Sequence, residues 1–453
     1  MEIPPYVKAV MQPLFDNGFD VYAVGGCVRD SMLGKTPHDF DLTSSASPDK
    51  MKGIFSCFST VETGISHGTL TVISDGKPVE ITTFRKDGKY TDHRRPDSVS
   101  FTQSLENDLL RRDFTVNAMA YNDRVGLVDP FGGADHLEKG VIRCVGEAET
   151  RFEEDALRIL RGLRFSARLG FSIDGETAAG MHKKAHLLKA ISAERIFAEL
   201  SGILCERGDR VRRLLLDFSD IFATVIPELS PCIGFEQKNP YHQYDVYTHI
   251  AYTVGYTPPN RTVRFAALLH DIGKPSAFSV DERGIGHFYG HPGLSAEIAL
   301  SVLERLHADS KLMGDVKALV LYHDDDIFRQ DPSVKRMMIK VGEHNFFNLL
   351  DLKKADRLAH SEGHRDIFDI EDVEITAKRI LAEGQCLHTN QLEINGRDIL
   401  ALGIREGEAV GKILNALLWE VIDGRLENRR DELLFRAKQL ISSGNLPQSP
   451  EKP

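Results

Sequence analysis

Cysteine is sparse in this chain: among 453 residues there are six, with no CxxC pair and no regular spacing. Scatter of that kind excludes a disulfide framework and a cysteine-zinc site, and assigns Cys27, Cys57, Cys144, Cys205, Cys232 and Cys386 to the core as small hydrophobes. Long apolar runs are missing too. No window approaches the roughly eighteen consecutive apolar residues of a membrane span, and the opening MEIPPYVKAVMQPLF lacks the basic, apolar and small-residue order of a signal peptide. The expectation is a cytoplasmic protein without a membrane partner. Basic residues are outnumbered, 56 Lys and Arg against 67 Asp and Glu, for a formal net charge of -11. Phosphate binding rests on Lys and Arg, so that balance speaks against nucleic acid for the chain as a whole. Local clustering is the relevant scale, however, and basic residues gather between 150 and 215. The remaining composition, 42% hydrophobic and 27% charged, is ordinary for a globular protein of several domains.

Along the chain, β-rich runs (VYAVGG, DFDLT, GTLTVIS, PVEITTF) alternate with helical stretches up to about residue 145, which predicts a mixed α/β head with four or five strands. Beyond Val145 the apolar pattern takes the helical period, as in 152–169, 194–206, 262–270, 294–307 and 410–422. The fold class expected is α+β: a head over 1–145, then an all-helical neck (146–230), body (231–370) and tail (371–440). The polar, Pro-rich end (441–453) is expected to be disordered.

Chemistry concentrates in the head. Val21–Asp30 reads as a strand, a Gly25-Gly26 turn and a helix start. Glycine lets a triphosphate approach backbone N–H groups, a helix N-terminus adds positive potential, and Arg29 could reach the same phosphates. A Gly-Gly pair also occurs in plain turns. In His38-Asp39-Phe40-Asp41-Leu42, period-two alternation sends Asp39 and Asp41 to one face and Phe40 and Leu42 to the other. Two such carboxylates repel unless a cation lies between them. Glu80, alone among apolar and Thr neighbours in Val79-Glu80-Ile81-Thr82, is a candidate third acid on an adjoining strand. Hard oxygen donors suit Mg²⁺, and two such ions can activate a hydroxyl and stabilise leaving pyrophosphate.

In order, GGCVRD, HDFDLTSSASP, TGISHGTLTV, VEITTFR, LLRRDFTVNAMAY, DPFGGADHLEKGVIRCVG and RFEEDALRILRGLRFSARLGF resemble the motif series of the class II nucleotidyltransferases, the branch of bacterial CCA-adding enzymes and poly(A) polymerases. The resemblance implies a nucleotidyltransferase head. By it, Asp39 and Asp41 bind two magnesium ions, Gly25, Gly26 and Arg29 hold the triphosphate, and Arg112, Asp113 and Asn117 serve the nucleotide's phosphate and ribose. It also matches residues 85–97 to the mobile loop of full CCA enzymes, implies the tRNA 3′ end, CTP and ATP as partners, and leaves oligomeric state open. A poly(A) polymerase and an A-adding enzyme share these motifs. So does, in part, a reading of another class: a metal-dependent phosphohydrolase whose head only senses nucleotide.

In the neck, Asp155, Arg158, Arg161 and Arg164 follow at steps of three, which on a helix at about 100° per residue form one drifting stripe opposite the apolar face of Ala156, Ile159, Leu160 and Leu163. A charged helix exterior explains the same pattern. Nucleotide choice gives a sharper reason. Cytosine and adenine both offer an amine donor beside a ring-nitrogen acceptor, matching an Asp carboxylate next to an Arg guanidinium. Uracil and guanine would leave both protein groups unpaired, at roughly 1–3 kcal/mol each. The resemblance gives Asp155 and Arg158 this template role; Arg161 and Arg164 then address phosphates or orient the template.

The body holds His249, His270-Asp271-Ile272-Gly273-Lys274-Pro275, His287, His291, His323 and Asp356. His-Asp after the apolar run RFAALLH resembles the HD phosphohydrolase domain. In that family His249, His270, Asp271 and Asp356 form a metal site that His291 and His323 extend. Imidazole with carboxylate suits Mn, Ni, Co or Fe better than Mg. A purely structural version of this domain is the alternative. The tail, with Ile394–Gly403 and Gly411-Lys412-Ile413-Leu414, looks like the tRNA-gripping end of bacterial CCA enzymes, with Arg425, Arg429 and Arg430 as candidate contacts.

Overall fold

The computed structural model describes residues 1–65, 68–88, 99–404 and 407–443. Ser66 and His67 of TGISHGTLTV, residues 89–97 of the expected mobile loop, and residues 444–453 of the expected disordered end lie outside the described residues. The chain divides into two units, Met1–Ser230 with Arg305–His307, and Pro231–Glu304 with Ala308–Pro453.

The first unit is built on a seven-stranded sheet rather than the four or five strands expected. Its strands are β1 (Val21–Val24), β2 (Asp41–Ser44), β3 (Ser59–Val61), β4 (Thr69–Ser74), β5 (Lys77–Thr83), β6 (Ala120–Asn122) and β7 (Gly126–Val128), in the order β3-β4-β5-β2-β1-β6-β7. All pairings are antiparallel except β2 with β5, which run parallel. The extra strands are three-residue pieces, too short for alternation to announce them. Burial alternates as the pleat requires: Phe40 and Leu42 are buried while Asp39 and Asp41 are exposed. The strand itself starts at Asp41, so Asp39 lies on the extended lead-in rather than inside it.

Helix α1 (Gly26–Met32) leaves β1 through Gly25 at φ 74°, a left-handed conformation that glycine adopts without strain. Helix α2 (Leu105–Leu110) is held to the sheet by Leu109, buried with Tyr22, Val24, Phe84 and Ala120. The neck does not form the unbroken helix expected to carry Asp155, Arg158, Arg161 and Arg164. Helix α3 (Ala148–Glu154) stops and α4 (Leu157–Leu169) begins, with Asp155 in extended conformation between them. The break has a local cause: the Asp155 carboxylate accepts the Leu157 N–H at 3.1 Å, a side-chain bond that competes with the helical ladder. Gly162 in α4 permits a close approach, since a Cβ there would stand 2.9 Å from Phe114 and 2.3 Å from Met181. Helix α5 (Ala193–Leu204) packs against α4.

In the second unit, α6 (Val246–Tyr256), α7 (Arg261–Leu269), α8 (His291–Arg305), α9 (Ser310–Tyr322) and α10 (Glu343–Leu358) supply the side chains of interest. Asp245, Asn260 and Asp309 cap α6, α7 and α9 by accepting first-turn N–H groups. Helix α7 is buried from Val263 to Leu269, so it forms the centre of this unit's core. Further on, α11 (Glu408–Ile422) and α12 (Arg430–Ser443) share a separate apolar cluster around Ile399, Leu417 and Leu433. Among the described residues no helix is long and apolar enough to cross a membrane.

Candidate active site and metal centre

The sheet register brings the acids of the first unit together. Asp41 pairs with Val24 on one side and with Glu80 on the other, so the β1 exit to the glycine turn and the third carboxylate flank it directly. Although the Asp41 side chain keeps contact with solvent, partial desolvation by its surroundings, and then the charges of Glu80 and Asp39, raise its carboxyl above the ordinary value, with Arg112 pulling the other way. Like charges at this spacing make a strong case for a cation.

Beside them a cleft of about 430 Å³ gathers Gly25, Gly26, Arg29, Asp41, Arg112, Asp113, Asn117, Asp155, Arg158 and Arg161, together with Phe165 and Arg195. Asp39, Glu80 and Arg164 are not among its lining residues. Arg29 is buried and donates from Nη1 to Asn117 Oδ1 at 2.7 Å. Asn117 in turn donates to Asp113 Oδ1 at 3.2 Å, and Arg161 clasps Asp113 Oδ2 through Nε (2.9 Å) and Nη2 (2.5 Å). Burial would raise the Asp113 carboxyl, yet Arg161 outweighs it and holds the group below its ordinary value. Arg112 lies against the turn: a Cβ at Gly25 would stand 3.0 Å from its Nη1. Its Nε–H is buried with no hydrogen-bond partner, a donor left for a ligand anion.

The stripe expected of Asp155, Arg158, Arg161 and Arg164 is not one helical face, because the chain breaks at Asp155. Nor does the Asp155 carboxylate pair with the Arg158 guanidinium. Asp155 Oδ2 accepts from Arg195 Nη2 at 3.1 Å, whereas Arg158 donates to Glu154 at 2.8 Å and to the carbonyls of Arg151 and Arg111 at 3.2 and 2.9 Å. Both groups still line the cleft, and a carboxylate with two accepted bonds keeps acceptor capacity for a base edge. Arg164 departs from its expected place: it forms an ion pair with Glu199 on α5 (2.7 Å). In the first unit, sequence reasoning missed Arg195 and Asp108. Arg195 reaches Asp155 from forty residues away, which no local pattern reveals. Asp108 precedes Arg111 and Arg112 by three and four residues, the helical contact spacing that was the available signal.

In the second unit, helices α6, α7, α8, α9 and α10 bring six expected groups together. Ligand-capable atoms of His249, His270, Asp271 and Asp356 lie within 4.8 Å of one another, as do those of Asp271, His291 and His323. His249 Nε2 meets Asp356 Oδ1 at 2.8 Å, and Asp271 lies 3.2 Å from His270, 3.3 Å from His291, 3.6 Å from His323 and 2.8 Å from Lys274 Nζ. His270, His291 and His323 each turn Nδ1 to the backbone carbonyl three residues earlier (2.8, 2.8 and 2.7 Å). That contact fixes the ring and presents Nε2 to the centre. Both Asp271 oxygens and His270 Nε2 are buried without a hydrogen bond, so the donor set fits a divalent metal of borderline softness. Burial opposes charge on His270, but Asp271 and Asp356 hold its imidazolium up to about 10. Asp271 and Asp356 are held well below the carboxylate range by the imidazoles in spite of burial. His242 and His360, absent from the sequence analysis, complete the surroundings; burial pushes them down to about 2 and about 4. His287 pairs with Asp281 (3.2 Å) and is in neither ligand group.

The tail arginines all have acidic neighbours: Arg425 with Asp423, Arg429 with Glu427 and Glu432, Arg430 with Asp398.

Comparison with known proteins places these features in context. Family models match in three stretches: "Poly A polymerase head domain" over 21–143, "Probable RNA and SrmB-binding site of polymerase A" over 170–233, and "tRNA nucleotidyltransferase domain 2" over 281–437. The chain is 32% identical over 441 residues to the CCA-adding enzyme of Ligilactobacillus salivarius, covering 95% of each. It is 33% identical over 432 residues to that of Streptococcus mutans, covering 94% of each. Among solved structures, the Bacillus stearothermophilus CCA-adding enzyme in complex with CTP is similar with a TM-score of 0.74 at 26% identity, covering 98% of this chain and 99% of that one.

Proposed function

The chain belongs to the family of CCA-adding enzymes, and from that premise we propose that its first unit adds C, C and A to the 3′ end of tRNA from CTP and ATP, without a nucleic-acid template and with release of pyrophosphate. The observation that carries the reading is the single cleft joining the glycine turn, five arginines and Asp155 to Asp41. Asp39 and Asp41, beside Glu80, would hold Mg²⁺, since an all-carboxylate set whose members repel one another favours a hard cation. When bound, that ion supplies activation of the attacking hydroxyl and charge stabilisation of the leaving pyrophosphate. The protein's own groups do the positioning. Backbone at Gly25 and Gly26 lets the triphosphate approach, while Arg29 and Arg112 meet its charge. Asp113 and Asn117 orient the ribose side, with Arg161 holding Asp113 in place. Asp155 and Arg158 select a base with an amine donor beside a ring acceptor. Arg164 steadies α4 against α5. We assign 1–145 to catalysis, 146–230 to base selection, 231–370 to the histidine centre and 371–440 to tRNA contact, with the cytoplasm, where tRNA matures, as the place of action.

The test is Asp39→Ala. Nucleotide incorporation should vanish while tRNA retention in a gel-shift assay stays near wild type; near-wild-type incorporation would refute the assignment.

A second reading is favoured by the buried Asp271 oxygens and His270 Nε2, which lack a hydrogen bond: the centre of the second unit binds Mn, Ni, Co or Fe and hydrolyses phosphoesters, among them 2′,3′-cyclic phosphates. His249, His270, Asp271 and Asp356 would hold the metal, with His291 and His323 extending the site. Metal analysis after supplemented growth, followed by a phosphodiesterase assay of His270→Ala and Asp271→Ala, decides it. Protein free of transition metal after such growth removes the reading.

A further inference from the structure

The most deeply buried acid described in the first unit has no part in the chemistry above. Asp108, on α2, is 0% exposed. A buried carboxylate is costly unless its oxygens are paired, and these are. Oδ1 accepts from Arg111 Nε (3.0 Å), from Arg111 Nη2 (2.8 Å) and from the main-chain N–H of Arg85 (3.3 Å). Oδ2 shares the Thr43 hydroxyl proton (3.1 Å) with the Thr82 carbonyl (3.1 Å) and faces Arg112 Nη2 at 3.5 Å. Burial pushes the carboxyl up, but the two guanidiniums outweigh it and the group stays ionised.

The partners are not scattered at random. Thr43 lies two residues after Asp41 on β2, and Arg85 follows the end of β5, the strand of Glu80. Arg112 is the guanidinium that lies against the glycine turn. Helix α2 is itself fixed, by Leu109 in the sheet's core cluster and by Ser104, whose hydroxyl accepts the Asn107 N–H at its N-cap. Asp108 therefore links both carboxylate strands to the arginine that lines the cleft, through a group that cannot shift without breaking several bonds.

We propose that Asp108 is a positioning residue for nucleotide transfer: it holds the Arg112 guanidinium at the phosphate side of the cleft, in register with the carboxylates on β2 and β5. The inference rests on the cleft being the nucleotide site. Its sign is diagnostic. If Asp108 acted only through its charge, removing that charge would make the cleft more positive and a triphosphate would bind more tightly. If it acts by holding Arg112, the same change weakens nucleotide binding. If it serves stability alone, it lowers the melting temperature and the active fraction and leaves KM alone.

The experiment is steady-state nucleotide addition by full-length Asp108→Asn on tRNA ending before CCA. KM for CTP and for ATP should rise alike, by about tenfold. KM for tRNA and rejection of UTP and GTP should not move, and combining the change with Arg112→Ala should raise KM no further than Arg112→Ala alone. A nucleotide KM that falls or stays constant, or an additive double variant, overturns the proposal. Should Asp108→Asn not fold, Thr43→Val removes one contact to the same carboxylate; a KM rise of about twofold is expected, and an unchanged KM overturns the idea. If the wild-type protein adds no nucleotide, the reading of the cleft fails; if it does and the variants bind nucleotide normally, only this inference fails.

Discussion

The two units hold their acids in opposite ways. Asp39, Asp41 and Glu80 are exposed, surrounded by one another's negative charge, and set by the register of neighbouring strands. Asp271 is 1% exposed and enclosed by His270, His291, His323 and Lys274. An open cluster of like charges stays hydrated and awaits a hard cation that keeps much of its own water. A buried cluster must be neutral or paired, and here Asp271 and Asp356 hold the His270 imidazolium up to about 10. On the proposed assignments, burial is what separates a Mg²⁺ site from a transition-metal site.

That contrast can be broken most decisively by exchanging losses. Asp41→Ala should cut the rate of nucleotide addition by about 10³-fold or more while leaving the metal content of the second unit unchanged. His270→Ala should do the reverse, abolishing transition-metal uptake with addition within about twofold of wild type. If either variant silences both units, the two centres are not independent.

Arg161→Ala comes next. It strands the Asp113 carboxylate, and because Arg161 is 35% exposed the loss should be about 2–3 kcal/mol of unfolding free energy, below the ~3–5 kcal/mol of a fully buried pair. The depressed Asp113 value means this stabilisation is present above the ordinary carboxylate range and lost as pH falls through the folded value. The difference in melting temperature between wild type and variant should therefore narrow below about pH 4. Asp155→Ala should lower discrimination of CTP over UTP by about 10–100-fold while changing nucleotide KM less, as a primer-extension assay would read. Arg164→Ala should have the smallest effect on activity, with no change in base choice, because its partner is Glu199; stranding that buried carboxylate should cost about 2–3 kcal/mol of unfolding free energy, as at Arg161.

Much of the first unit was legible because strands expose their period. The alternation Asp39-Phe40-Asp41-Leu42 is seen in burial, and Glu80 does lie on the strand next to Asp41. The mixed head and helical remainder followed from the change of period near Val145. Three-residue strands such as Ser59–Val61 gave no such signal. The stripe in the neck failed for a different reason: angular counting assumes an unbroken helix, and neither Gly nor Pro marks the break that the Asp155 side chain makes. Glu154 and Arg195, rather than one another, are consequently the side-chain partners of Arg158 and Asp155. In the second unit the donor types were visible across more than a hundred residues, but the presence of His242 and His360 beside them depends on how the helices pack, which spacing cannot express.

The central claim is tested most directly by incubating wild-type protein with tRNA ending before CCA and labelled nucleotides, supplied singly and together. CTP alone should add two residues, ATP alone none, CTP with ATP a complete C-C-A, and UTP or GTP nothing. Incorporation from UTP or GTP at rates near those of CTP and ATP would contradict a protein-built template for both bases, and growth of an A tract would contradict CCA addition.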